Sequence, residues 1–175
     1  MKHRNTQINL IFSVLILSVF SCSPKTESTD TETADAANTV MRQDATPIPH
    51  FNLENLDGTQ FSSKDLKGDL ALIFFNPDCD HCQREAVAIH SSKNKFKGKQ
   101  LYFISIDSIN AIRKFRSEYD LTDDNFHFSR GNVEDIVNAL GPIPSVPCFY
   151  IYKNGQLIER LEGEVDVDRV ASLLN

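Results

Sequence analysis

The stretch LALIFFNPDCDHCQRE, residues 70–85, joins an uninterrupted apolar run to two cysteines that are separated by two residues. An apolar run of this length, bounded by Gly68 and Pro77, predicts a strand that is buried on both faces and therefore central in a sheet. Cys79 and Cys82 follow directly, at the point where a helix is predicted to begin. The chain thus places a pair of sulfurs at a strand-to-helix junction.

Hydrophobic periodicity and turn residues extend this pattern over the rest of the domain. A second apolar run follows the helix after the cysteines, so that strand, helix and strand predict a parallel crossover. Asp57-Gly58 and Asn154-Gly155 each predict a tight hairpin turn. The predicted elements are, in order, a hairpin over 51–61, a helical turn at 62–66, a strand at 70–75, a helix closing at Gly98, a strand at 101–106, a helix at 109–119 capped by Asp107 or Ser108, a strand at 126–129, a helix at 133–140, a hairpin over 147–161 and a helix at 166–174.

The first residues predict export from the cytoplasm. Lys2 and Arg4 precede an apolar run at 10–20. This run is shorter than the roughly 20 residues that a membrane-spanning helix needs, and a polar tract follows it at once. The pattern therefore predicts a signal peptide over residues 1–21.

The residues after the signal peptide predict a lipid-anchored tether. Ser21 before Cys22 resembles the cleavage site of bacterial lipoproteins, in which the cysteine becomes lipidated; plain secretion with a free Cys22 is the alternative. Residues 22–46 are rich in Ser, Thr, Glu, Asp and Ala, and such a stretch buries too little apolar surface to order itself. Residues 47–175 have the size of one domain. The predicted product is a domain held by a flexible tether at the surface of a membrane.

The charge balance argues against a nucleic acid as a partner. The chain has 24 Asp and Glu against 18 Lys and Arg, a formal net charge of −6. A net negative charge repels a phosphate backbone. We separately expect a monomer whose partners are disulfide- or dithiol-containing exported proteins and, through Cys22, a membrane.

The cysteine pair predicts redox chemistry. A sulfur at a helix N-terminus faces unpaired N–H groups that favour an anion, so Cys79 is the expected nucleophile and Cys82, one turn further, the resolving thiol. His81, when protonated, favours the Cys79 thiolate, whereas neighbouring aspartates such as Asp80 oppose it. Glu85 lies three residues after Cys82 on the same helix face, where a carboxylate can exchange a proton with that thiol; a solvated helix residue is the alternative.

Four other interpretations of the pair compete with thiol-disulfide exchange. A structural zinc site needs four ligands, and neither a second CxxC nor a spaced histidine pair is present, so no metal is predicted. A Cu(I)- or Zn-binding module that uses the same cysteines is the alternative function, because thiolates suit Cu(I). A disulfide staple over so small a loop constrains little of the unfolded chain. A peroxidase of the peroxiredoxin type resembles Pro-x-x-x-Thr-x-x-Cys, and the matching positions here hold Leu72 and Asn76.

The spacing of these motifs resembles a known family. CxxC at a strand-to-helix junction, followed by Val146-Pro147 at the start of a hairpin and by a last helix, resembles the thioredoxin fold. The leading hairpin and the lipoprotein signal resemble the TlpA/ResA-like membrane-tethered thiol-disulfide oxidoreductases. The resemblance implies an α/β fold in which a central mixed sheet is flanked by helices and carries an added N-terminal β-hairpin.

The resemblance also implies roles for single residues. Cys79 becomes the attacking cysteine, Cys82 the resolving one, Glu85 the acid of the helix and Pro147 a cis-proline beside the pair. The backbone of Val146 is expected to meet the partner's extended segment. Asp80 and His81, between the two sulfurs, are expected to face the partner as well.

Several positions depart from the pattern of thioredoxins. Asp78 stands where many thioredoxins have tryptophan, and Ile73 stands at the place of their buried aspartate, which leaves Glu85 as the substitute proton carrier. Cys148 replaces the usual threonine after the proline. It is interpreted either as a small buried apolar residue, which we favour, or as a third redox-active thiol.

The expected function is thiol-disulfide exchange with exported proteins, with no cofactor beyond the Cys79–Cys82 disulfide. The resemblance favours the reductant direction, with apo-cytochrome c or other exported dithiol proteins as substrates, and a location in the bacterial envelope facing the periplasm. The His81 position resembles disulfide-forming oxidases and keeps the direction open. The partner, the electron source, the choice of membrane and the role of Cys148 are left undetermined by the sequence.

Overall fold

The computed structural model describes residues 46–175. The predicted signal peptide, the lipidated Cys22 and the tether as far as residue 45 lie outside the described residues. Among the described helices, none is long and apolar enough to cross a membrane. The regular elements are β1 (Asn52–Asn55), β2 (Gln60–Ser62), β3 (Leu70–Phe74), α1 (Asp80–Ser91), β4 (Gln100–Ser105), α2 (Ile109–Glu118), β5 (Phe126–Gly131), α3 (Val133–Leu140), β6 (Cys148–Lys153), β7 (Gln156–Glu162) and α4 (Val167–Leu174), with short 3-10 turns at Ser63–Asp65 and Lys93–Phe96.

The strands form one seven-stranded mixed sheet in the order β2-β1-β5-β4-β3-β6-β7. β3, β4 and β5 run parallel, and the two hairpins add antiparallel strands at the two edges. β3 lies inside the sheet between β4 and β6, and all five of its residues are buried. The prediction of a central strand before the cysteines is therefore confirmed, as are both hairpins and the parallel crossover.

The two faces of the sheet hold two separate apolar clusters because side chains alternate along a strand. Ala71, Ile73 and Phe75 face the cluster that α1, α2 and α4 cover. Leu72 and Phe74 face the second cluster, which α3 and the segment before β1 cover. A central mixed sheet with helices on both faces and a leading hairpin is the predicted α/β architecture.

Two element ends differ from the predictions by two residues or more, for physical reasons. The helix after the cysteines was predicted to reach Gly98, but α1 ends at Ser91 and a 3-10 turn follows. The polar residues 91–95 offer no apolar side chain that would hold another helical turn against the core. β5 was predicted over 126–129 but continues to Gly131, because β1 pairs with its last residues.

Candidate active site

Cys79 lies at the junction of β3 and α1, as the N-cap residue of that helix. Its backbone N–H donates to the carbonyl of Asn76 at 3.2 Å, which closes a tight turn after the strand. Its Sγ lies 3.7 Å from the carbonyl oxygen of Val146, which can accept from the thiol. The side chain is partly exposed, so this sulfur is open to a partner.

Cys82 lies one turn further into α1 and is 2% exposed. Burial raises the pKa of the Cys82 thiol to about 12; a backbone hydrogen bond from Asn76 works against this effect, and the Cys79 sulfur and Glu85 add to it. Cys82 therefore stays protonated at neutral pH while Cys79 faces solvent. All three cysteines in the described part of the chain are free thiols.

Glu85 is buried directly behind the pair, with 4% of its surface exposed. Its Oε2 accepts a hydrogen bond from the Val165 backbone N–H at 2.9 Å, whereas Oε1 is buried without a hydrogen-bond partner among the described residues. Burial raises the pKa of Glu85 to about 7, against the lowering effect of the Val165 hydrogen bond, and the Glu164 carboxylate raises it further. The alternative interpretation of Glu85 as a solvated helix residue is therefore wrong.

The segment opposite the cysteine pair contains the predicted proline. The Val146–Pro147 peptide bond is cis, as the resemblance implies. The carbonyl of Pro147 accepts a hydrogen bond from the Gly163 backbone N–H at 2.8 Å, which ties this segment to the loop after β7. The structure therefore brings Val146 and Pro147 together with Cys79.

Cys148 is fully buried, but it packs in the cluster on the opposite face of the sheet from Cys82. It pairs across the sheet with Phe74, whose side chain belongs to the same cluster. Burial raises the pKa of its thiol, partly offset by the Arg160 guanidinium. This placement favours the interpretation of Cys148 as a buried apolar residue over that of a third redox thiol.

His81 belongs to an exposed ionic cluster that the sequence motifs did not reveal. Glu164, in the loop before α4, contacts His81 Nδ1, and it accepts from Arg84 Nε at 3.0 Å. Arg84 Nη2 lies 2.8 Å from the same His81 nitrogen. A guanidinium only donates and a carboxylate only accepts, so Nδ1 can satisfy one of them at a time. Arg84 and His81 together lower the pKa of Glu164 to about 2.

Three contacts at the site join residues about 80 positions apart in the chain. Glu164 reaches His81 and Arg84, while the neighbouring Val165 N–H reaches Glu85. No local sequence motif identifies Glu164, which lies in a loop, as part of the site. Only the folded structure shows its contacts with His81 and Arg84. Asp80, predicted to face a partner, is exposed in the first turn of α1.

The site offers little to a metal ion. Within residues 46–175 no group of three or more His, Cys, Asp or Glu side chains could hold one. His90 and His127, which are remote in sequence, are engaged by Asp120 and Gln100 respectively. Two sulfurs are too few for the four ligands of a structural zinc site, and one of the two is buried and protonated.

Comparison with known proteins places this geometry among redox proteins. Residues 45–153 match the AhpC/TSA family. The thiol-disulfide oxidoreductase ResA of Oceanobacillus iheyensis is 30% identical over 135 residues, which cover 73% of this chain and 69% of that protein. ResA of Bacillus anthracis is 26% identical over 169 residues, 94% of each chain. Peroxiredoxin Q of Gentiana triflora is 28% identical over 138 residues, 72% of this chain and 64% of that protein.

Solved structures are similar at the level of the fold. The thioredoxin domain of a thiol-disulfide oxidoreductase from Bacteroides vulgatus superposes with a TM-score of 0.60 at 18% identity, covering 73% of this chain and 92% of that one. The copper-bound ScoI of Arabidopsis thaliana gives a TM-score of 0.57 at 18% identity, covering 71% and 94%. At such identities the likeness shows the thioredoxin-like fold alone.

Proposed function

We propose that this chain, which belongs to the AhpC/TSA family, is a tethered extracytoplasmic thiol-disulfide oxidoreductase in which Cys79 attacks and Cys82 resolves. The enzyme class itself, a thioredoxin-like thiol-disulfide oxidoreductase, follows from the named relatives. The observation that carries the assignment of roles is the contrast in burial, with a partly exposed Cys79 in front of a buried Cys82.

The proposed reaction transfers two electrons between two cysteine pairs. The Cys79 thiolate attacks one sulfur of a partner disulfide; a new bond forms between Cys79 and that sulfur, and the other partner sulfur leaves as a thiolate that takes up a proton. Cys82 then loses its proton and attacks the Cys79 sulfur. The partner leaves as a dithiol, and the enzyme is left with a Cys79–Cys82 disulfide. Every step can run in reverse.

Glu85 is proposed to carry the proton of the second step. A thiol with a pKa of about 12 resolves a mixed disulfide slowly unless a base accepts its proton. The Glu85 carboxyl has a pKa of about 7 and a buried Oε1 without a described partner, which suits a group that accepts and returns a proton near neutral pH. Glu85 lies on the same face of α1 as Cys82.

Peroxide reduction is the activity of a second class of relatives, and the residues here disfavour it. The positions that resemble the proline and threonine of a peroxiredoxin site hold Leu72 and Asn76. Leu72 is fully buried in a cluster on the far face of the sheet from Cys82. Neither residue of the peroxiredoxin motif is therefore present before Cys79, and thiol exchange is preferred.

The envelope location and the partners are also proposed. The pattern of Lys2, Arg4 and the apolar run before Cys22 supports export and lipidation, and the match to ResA of Bacillus anthracis extends over 94% of both chains. A tether favours partners that are themselves exported or membrane-associated. Apo-cytochrome c and other exported dithiol proteins fit this description, with the enzyme as reductant.

The reduction potential of the Cys79–Cys82 couple tests the direction of this exchange. We expect a value near the ~−270 mV of thioredoxin, because the Arg84 cation that interacts with Cys79 is paired with Glu164 and therefore stabilises the thiolate only weakly. The measurement is equilibration with dithiothreitol followed by counting of alkylated thiols by mass. Cys148→Ser is the control and should leave the potential unchanged. A value near ~−120 mV would make the enzyme a disulfide donor.

Glu164 is expected to lower that potential by neutralising the cations beside Cys79. Arg84 interacts electrostatically with both Glu164 and Cys79. In Glu164→Gln the charges of Arg84 and of protonated His81 are free to favour the thiolate, so the potential should rise, on the order of 10 mV because the cluster is exposed. The matched control is Glu159→Gln. It removes the carboxylate of β7 that pairs with Arg169 of α4. Equal shifts in both variants would contradict the prediction.

A further inference from the structure

The loop after β7 contacts the active site through three consecutive residues, Gly163, Glu164 and Val165, which we call the 163–165 loop. The Gly163 N–H donates to the carbonyl of Pro147 at 2.8 Å. The Val165 N–H donates to Glu85 Oε2 at 2.9 Å. One short segment therefore touches both the proline segment of the site and the buried carboxyl behind the cysteine pair.

The Val165 hydrogen bond determines which oxygen of Glu85 is available for proton transfer. It occupies Oε2, whereas Oε1 is buried and has no hydrogen-bond partner among the described residues. A carboxylate is planar, so a hydrogen bond to one oxygen restricts the direction of the other. Cys82 lies one turn before Glu85 on the same helix face, and the two groups interact electrostatically. Oε1 is therefore the oxygen that can take up the Cys82 proton.

Glu164 anchors the 163–165 loop to the outside of α1. Its carboxylate accepts from Arg84 Nε at 3.0 Å and contacts His81. Arg84 directly precedes Glu85 in the helix, just as Glu164 directly precedes Val165 in the loop. Two neighbouring contacts thus join the loop to the helix, an exposed one between side chains and a part-buried one from the Val165 N–H. Loss of the exposed contact would leave the Val165 hydrogen bond without the neighbouring contact that restrains it.

We propose that Glu164 is a positioning residue for the second step of the exchange, in which Cys82 releases the partner. The contacts of Glu164 with α1 hold the Val165 N–H on Glu85, and the carboxyl of Glu85 is thereby held with Oε1 free for the Cys82 proton. The proposal rests on the proposed role of Glu85 as the proton carrier. Glu164 acts through Glu85 and does not itself take part in the chemistry.

The charge of Glu164 also acts on Glu85, and this effect can be separated from the contact. The Glu164 carboxylate raises the pKa of Glu85 and so makes it a better proton acceptor. The Arg84 cation and protonated His81 lie beside Glu164 and counter its charge. Solvent weakens the charge effect further, because Glu164 is exposed. Glutamine at this position loses the charge but keeps an oxygen that can accept from Arg84.

Single turnovers of the reduced full chain test the proposal. The probe is a short peptide whose cysteine forms a mixed disulfide with thionitrobenzoate. Cys79 attacks the peptide sulfur, and the coloured thionitrobenzoate that leaves reports the first step. Cys82 then gives its proton to Glu85, attacks the Cys79 sulfur and displaces the peptide as a thiolate. Decay of the adduct between Cys79 and the peptide, followed by mass spectrometry after acid quench, reports this second step.

Glu164→Ala should slow the decay of the adduct about tenfold, which is part of the ~10²-fold or more that a positioned acid–base group contributes. Glu164→Gln should stay within about threefold of wild type, because its amide oxygen still accepts from Arg84. In both variants the first step should change less than the second. Glu162→Ala is the matched control, because it removes an exposed carboxylate of β7 that pairs with Arg160, and it should keep the wild-type rates.

A double-mutant cycle with Glu85→Gln shows whether Glu164 acts through Glu85. In the Glu85→Gln background, Glu164→Ala should have little further effect on the second step, because the group that Glu164 positions is already absent. A role of Glu164 in the general stability of the fold would instead slow both backgrounds alike. Thermal unfolding by circular dichroism identifies any variant that fails to fold.

The outcomes separate this proposal from the proposed function. A wild-type second step in Glu164→Ala, or an equal slowing with and without Glu85, would overturn the positioning role and leave thiol exchange intact. Equal slowing in Glu164→Ala and Glu164→Gln would assign the effect to the charge and also overturn the proposal. A wild-type second step in Glu85→Gln would refute Glu85 as the proton carrier. Absence of any thionitrobenzoate release would refute thiol exchange at Cys79 itself.

Discussion

Cys79→Ser is expected to lose all catalysed thiol exchange, whereas Cys82→Ser should accumulate a covalent mixed disulfide with its partner. The partly exposed Cys79 is the sulfur that a partner can reach, and the buried Cys82 acts only after the first bond has formed. Without Cys82, the intermediate has no internal thiol that can release it. The first variant should therefore fall to the uncatalysed rate, the largest effect that we predict for any single substitution.

Reduction of insulin by dithiothreitol measures the loss, and mass spectrometry of the alkylated protein detects the trapped adduct. Cys148→Ser serves as the control for removal of a buried thiol and should keep the wild-type rate, because its side chain lies on the opposite face of the sheet from Cys82. An adduct that accumulates in Cys79→Ser and not in Cys82→Ser would exchange the roles of the two sulfurs.

Glu85→Gln is expected to change both the stability and the rate, each with its own pH dependence. The native pKa of Glu85 is raised to about 7 from its usual 4.5, chiefly because the carboxyl is buried. The native state thus binds this proton more tightly than the unfolded chain does. The contribution of Glu85 to stability is complete below pH 4.5 and is lost as the pH rises through 7, by about 3 kcal/mol at most.

Urea unfolding of the reduced protein at several pH values measures this effect. The free energy of unfolding of Glu85→Gln, relative to wild type, should rise between pH 4.5 and pH 8 because glutamine carries no proton to lose. Glu118→Gln, which changes an exposed glutamate of α2, should follow the wild-type curve. Parallel curves for Glu85→Gln and wild type would show that Glu85 is not a buried acid with a raised pKa.

The same variant should slow the second chemical step. Glutamine cannot accept the proton of Cys82, and a positioned acid–base group contributes about 10²-fold or more. Rapid-quench measurements should therefore show the mixed disulfide lasting longer in Glu85→Gln, while the first attack by Cys79 keeps its rate. Slowing of the first step alone would instead assign Glu85 to the environment of Cys79.

The order and type of the elements were predictable because they depend on local patterns. The apolar run of β3, the Asp57-Gly58 and Asn154-Gly155 turns and the helical periodicities each act within a few residues. The family resemblance added the cis bond before Pro147. The errors, at the end of α1 and of β5, fall where a contact from elsewhere in the chain, or the lack of one, decides how far an element extends.

The sequence by itself determined the parallel strand-helix-strand crossover, the CxxC pair at the start of α1 and the position of Glu85 one turn beyond it, since helix and strand periodicity place these groups. The family resemblance added the thioredoxin fold. Only the tertiary structure decided that Glu85 is buried rather than solvated, that Glu164 contacts His81 and that Cys148 faces away from Cys82. The burial of Glu85 depends on residues about 80 positions away in the chain, such as Val165, that pack against it. The face of the sheet on which Cys148 lies depends on the register of β6 against β3.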